Sequence, residues 1–113
     1  MRARDWPCPF LGRPADQLHH LTGRDADGRY FDPLLVVPVV GSQHVAEHVG
    51  WRAVGFGDGS TALPDVLRLR RVAHFLVRLG EHHGGGVVVL PAPSVRALGL
   101  VLHGVAESVE RRQ

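Results

Sequence analysis

Gln17-Leu18-His19-His20-Leu21, the run Leu34-Leu35-Val36-Val37-Pro38-Val39-Val40, and the closing His44-Val45-Ala46-Glu47-His48 are the stretch that decides how this chain folds. Four of the eight histidines fall between His19 and His48. Gln17 to Leu21 reads as a short strand, and because side chains alternate along a strand, His19 and His20 point to opposite faces. Leu34 to Val40 reads as a buried extended segment, with Pro38 at a position where no ladder hydrogen bond is needed. Ser42 then suits the N-cap of a helix running from about His44 to Trp51. Four residues apart on that helix, His44 and His48 share one face, so their imidazoles can meet one ion. Glu47, three residues from His44, is placed to orient a ligand histidine. A histidine pair on a strand with H-x3-H on a helix is the layout of a small divalent-metal site.

Outward from this stretch the punctuation is clear. Residues 1 to 18 read as an irregular arm anchored by Trp6 and Phe10, with Cys8-Pro9-Phe10-Leu11-Gly12 as a tight turn bracketed by proline and glycine. Gly23 to Gly28 is a polar turn. Its Asp25 and Asp27 lack the downstream glutamate of a calcium loop, so a plain surface turn is expected. Gly55 to Ser60 carries three glycines in six residues and marks a linker over 55–63, with a first region at 1–54 and a helical region at 64–113. Pro64 suits a first helical turn, with Thr61 near the cap. From Asp65 to Leu79, Val66, Leu69, Val72, Ala73, Leu76 and Leu79 predict the buried stripe, leaving Arg68, Arg71, His74 and Arg78 on a solvated face. Glu81 to Gly86 reads as a flexible loop carrying His82 and His83. Ser94 is the expected N-cap of a last helix, Val95 to Arg111, with Val95, Leu98, Leu102, Val105 and Val109 as its seam. The simplest architecture is α+β, with the two helices folded into an antiparallel hairpin. Leu98, Leu102 and Val105 also offer a homodimer contact.

At 113 residues and 44% hydrophobic, the chain is expected to form one small domain with a thin core. No run of eighteen apolar residues exists, since prolines and Arg96 break VVVLPAPSVRALGLVLHGVA, and MRARDWPCPF lacks a hydrophobic signal core. A soluble, cytoplasmic protein without a membrane partner is expected. The single cysteine, Cys8, excludes an internal disulfide framework and a cysteine-only zinc site. All thirteen cationic side chains are arginine, the residue suited to bidentate phosphate contact, while a net charge of +2 permits a nucleic-acid partner without demanding one.

In this frame the region from about residue 6 to 52 resembles the HNH endonucleases of the His-Me finger (ββα-metal) group, and is similar in particular to small actinobacterial members that read HHLTGRDADGRYFDP. The resemblance implies a ββα-metal unit followed by the two C-terminal helices. It implies His20 as the general base that activates water, and His19, His44 and His48 as ligands of one divalent ion (Mg, Mn, Ni or Zn). Many relatives carry four zinc-binding cysteines; their counterparts here are Cys8, Leu11, Val40 and Gln43, so no structural zinc is expected and Leu11 and Val40 should pack as its apolar substitute. Leu35 stands where the family's asparagine orients the base histidine, and leucine offers no such hydrogen bond.

Two functions are therefore expected as alternatives. One is a metal-dependent endonuclease acting on nucleic acid, DNA more than RNA, with Arg24, Arg52 and Arg71 as phosphate contacts. The other is a catalytically inactive HNH fold that serves as a nucleic-acid-binding or protein-interaction module.

Overall fold

In a computed structural model that describes residues 1–24, 27–56 and 64–112 (the side chains of 64 and 65 excepted), the alternation at residues 17–20 becomes strand β1, Gln17–His20. It pairs antiparallel with β2, Val36–Val39, in the register His19 opposite Val37 and Leu18 opposite Pro38. The Leu21 N–H donates to the Leu35 carbonyl just beyond this pairing, so the directly bonded pairs are those of Leu21, His19 and Gln17. Pro38 thus falls at a position whose backbone faces away from β1, where its missing N–H costs no ladder bond. All four β2 residues are buried, which matches their unbroken apolar run.

Helix α1, Gly41–Ala53, follows β2 directly. Ser42 does not cap it: the helix starts one residue earlier, and the Asp16 carboxylate accepts the Gly41 N–H at 2.9 Å. A residue 25 positions upstream supplies what a local cap was expected to give. In the N-terminal arm, Gly12 N–H donates to the Cys8 carbonyl and Cys8 N–H to the Arg13 carbonyl, closing the turn with Gly12 at φ +74°. Cys8 and Phe10 are buried, but Leu11 is 45% exposed. Of the two residues expected to fill the knuckle, only Val40 touches the core.

Helix α2, Pro64–His83, is longer than expected, and helix α3 spans Ala92–Arg111. The Glu81-His82-His83 segment is the end of α2 rather than a loop. His83 donates to the Pro9 carbonyl, His82 packs edge-on to Phe10, and Gly84 at φ +57° ends the helix. The buried face of α2 is Leu67, Arg71, Val72, Phe75 and Leu79, while Val66, Ala73 and Leu76 are exposed. Val72 and Leu79 are buried as expected, but the buried face is rotated toward the arginine stripe: Arg71 is buried, and Arg68, His74 and Arg78 are half-buried rather than solvated. Arg68 meets Asp32 at 3.4 Å and Arg78 meets the buried Glu47. A small core leaves carbonyls and carboxylates that need donors, and arginine stems fill space that leucine would otherwise take.

The face of α3 is likewise rotated. Ser94, Ala97, Val101 and Val105 are buried, whereas Val95, Leu102 and Val109 stay exposed. Ser94 is not a cap, since α3 begins at Ala92. Its hydroxyl donates to the Val36 carbonyl, which points away from β1 and needs a partner. With Val105 buried and Leu98 packed on the core, the expected dimer seam is largely spent within the protomer. One core joins Cys8, Phe10, Leu21, Leu35, Val37 and Val39 to Val72, Phe75, Leu79, Ala97 and Val101, so strands, arm and both long helices share it. The architecture is α+β, with two antiparallel strands and three α-helices among the described residues. Most of the expected Gly-rich linker (57–63), with the Thr61 cap, and part of the polar turn (25–26) lie outside the described residues. No helix among the described residues is long and apolar enough to cross a membrane.

Candidate metal centre

Strand alternation turns His19 inward from β1, onto the face of α1 that carries His44 and His48. The three imidazoles meet: one nitrogen from each lies within 4.8 Å of the other two. His44 and His48 Nε2 atoms stand 3.2 Å apart. Two nitrogens bound at 2.0–2.1 Å to a tetrahedral ion would be about 3.3 Å apart. His19 is fully buried, with its ring 5.0 Å from that of Trp51, and neither of its nitrogens has a hydrogen-bond partner among the described residues. A buried donor or acceptor left unpaired is costly, so two on one ring beside two further imidazoles mark a candidate ligand position.

The charge state suits that role. Burial, reinforced by the facing imidazoles of His44 and His48 and then by His20 and Arg71, lowers the His19 pKa from 6.5 to about 2. His44 and His48 are also pushed below the ordinary histidine value, chiefly by burial. Neutral rings keep the lone pairs an ion needs. Gln17 Oε1 lies 2.8 Å from His44 Nδ1, and because a carbonyl oxygen only accepts, His44 Nδ1 carries the proton and its Nε2 presents a lone pair. These three histidines therefore lie close enough to bind a metal ion.

His20 leaves the opposite face of β1 and does not join the three. Its ring stacks on Tyr30, with centroids 3.6 Å apart and planes 5° from parallel, and Arg24 donates to the Tyr30 hydroxyl at 2.7 Å. Burial and then the Arg24 charge lower its pKa, so it too is neutral near pH 7. A cleft of about 360 Å³ is walled by His20, Arg24, Tyr30, His44, His48 and Trp51, and opens onto both the imidazole cluster and His20.

The expected phosphate contacts separate. Arg24 lines the cleft, and Arg52 is exposed on α1, near enough to His48 that its charge depresses that histidine. Arg71 is fully buried, donating to the Thr22 and Phe56 carbonyls at 2.8 Å each, with its guanidinium 4.3 Å from the Trp51 ring centroid. It cannot reach a phosphate from solvent; it supports the Trp51 wall behind His19. Glu47 does not orient a histidine, because its carboxylate accepts from Gln43 and Arg78 instead. Leu35 is an ordinary buried core residue.

Gln17, Tyr30 and Trp51 were not singled out in the sequence as site residues. Strand period alone places Gln17 on the face of His19, two residues away, and helix period places Trp51 one turn beyond His48. Nothing local marks Tyr30, which reaches His20 because the Arg24–Tyr30 bridge closes the loop between the strands. No known protein family, no curated protein and no solved structure matches the chain.

Proposed function

We propose that the protein is a metal-dependent phosphodiesterase acting on nucleic acid, an endonuclease of the His-Me finger kind in which β1, β2 and α1 form the ββα-metal unit and α2 and α3 form its appended helical pair. The observation that carries this reading is the division of adjacent histidines: His19 joins His44 and His48 at one point, while His20 turns to the open cleft. In this reading His20 takes the proton of the attacking water, for which a neutral imidazole near pH 7 is suited. Tyr30 holds the plane of that ring by stacking, where the resemblance has an asparagine and this chain has Leu35. His19, His44 and His48 hold the ion, and Gln17 fixes the His44 tautomer. A divalent ion bound there supplies charge stabilisation to the phosphate and the departing oxygen. Arg24 and Arg52 offer positive charge at the cleft for the flanking backbone.

The second reading is a binding module without catalysis, favoured by Leu35 lying buried in the core with no polar group in its place. Metal analysis and plasmid nicking with Mg, Mn, Ni and Zn, each with His20→Ala alongside, decide between them. The nuclease reading expects nicking with at least one ion and a loss of about 100-fold or more in the variant, with metal content retained. No nicking with any ion, or equal nicking by the variant, rejects it and leaves the binding module.

A further inference from the structure

On the far side of His20 a second depression opens, larger than the first at about 670 Å³, with Leu34, Val36, Pro33 and Pro93 in its lining and Arg96 from α3 at its edge. The two depressions share Leu18 and His20, so the imidazole of His20 stands on the ridge between them. Both volumes fall within the roughly 300–1,000 Å³ of ligand-sized clefts. Their chemistry is complementary: a cation stands at either side, Arg24 and Arg96, and neither lining holds a carboxylate among the described residues. Arg96 is exposed and no hydrogen bond or ion pair to another described residue holds its guanidinium, whereas Arg68 and Arg78 are engaged with Asp32 and Glu47. The floor near Arg96 is apolar and exposed, with Leu34 72% accessible. An apolar floor ending in an uncommitted cation fits a sugar and base followed by a phosphate. It does not fit a small isolated anion, which would leave the floor uncovered.

We propose that this second depression seats the nucleoside next to the phosphodiester at His20, and that Arg96 binds the phosphate beyond it. The ligand is then an internal stretch of a polynucleotide strand, running from Arg24 across His20 to Arg96. The assignment to the scissile phosphate rests on the nuclease reading above; the strand path itself does not. The full chain, Arg96→Ala, Arg96→Lys and the control Arg70→Ala, an exposed arginine outside both depressions, are compared in two assays. In the first, a fluorescein-labelled twelve-nucleotide single-stranded DNA is titrated in EDTA across a salt series. Arg96→Ala weakens binding roughly 5- to 10-fold and lowers the salt slope by about 0.7–1, Arg96→Lys recovers part of the loss, and Arg70→Ala matches the parent chain. In the second, bis(p-nitrophenyl) phosphate, which has no next phosphate, is hydrolysed with added metal at the same rate by the parent chain and Arg96→Ala. Oligonucleotide binding that is absent in the parent, or unchanged in Arg96→Ala, overturns the strand path. So does an equal loss on the small diester and the oligonucleotide. Failure of the small diester in the parent counts against the nuclease reading alone, because the binding assay in EDTA still decides the role of Arg96.

Discussion

Acid should unfold this protein through His19. In the folded chain its imidazole stays neutral down to about pH 2, while in the unfolded chain it titrates at the ordinary 6.5. The unfolded state therefore binds the proton more readily, so the stability this group contributes is fully present above pH 6.5 and is lost as pH falls from 6.5 toward 2. Between pH 7 and pH 5 the unfolded state gains about 2 kcal/mol from protonating this one side chain, and about 1.4 kcal/mol more for each further unit. Against a total of roughly 5–15 kcal/mol for a small domain, that is a large share. His20, His44 and His48 are lowered in the same direction and steepen the trend. The measurement is urea unfolding of the metal-free chain in EDTA at pH 7, 6 and 5, beside His19→Leu, which fills the buried site without a titrating group. The variant should lose less stability between pH 7 and 5 than the parent does, by about 2 kcal/mol. Equal pH slopes in the two chains would refute the reasoning, as would a parent whose stability is flat below pH 6.5.

Two further perturbations probe the support of the site. Gly23 has φ +75°, and a Cβ there would lie 2.0 Å from the Arg71 guanidinium, so Gly23→Ala should push Arg71 off the Thr22 carbonyl and cost about 2–4 kcal/mol; a urea midpoint within experimental error of the parent's would contradict this. Gln17→Leu removes the acceptor that fixes the His44 tautomer while leaving an exposed strand position filled, and should weaken zinc binding about 10- to 100-fold in a competition titration with unfolding unchanged. Zinc affinity equal to the parent's would show that Gln17 has no part in ligand orientation.

While the resemblance implied that His19 is the one to join His44 and His48, the sequence by itself determined the strand that turns His19 and His20 to opposite faces, the buried run through Pro38, and the helix that sets His44 and His48 on one face. These follow from the period of two in strands and the four-residue return of a helix, which act between close neighbours in the chain. Only the tertiary structure decided which faces of α2 and α3 are buried. Arg71 turns inward to a carbonyl 49 residues away, Ser94 to one 58 away and His83 to one 74 away. No local pattern announces such partners, and counting arginine as a surface residue turns the expected buried face of α2 away from Arg71. Likewise, the cap of α1 comes from Asp16 across the sheet, and the plane of His20 is set by Tyr30 from the other end of a loop. A hydrogen-bond donor or an aromatic face goes where an unsatisfied group or an open ring is waiting, and where those stand is fixed only once distant segments have packed.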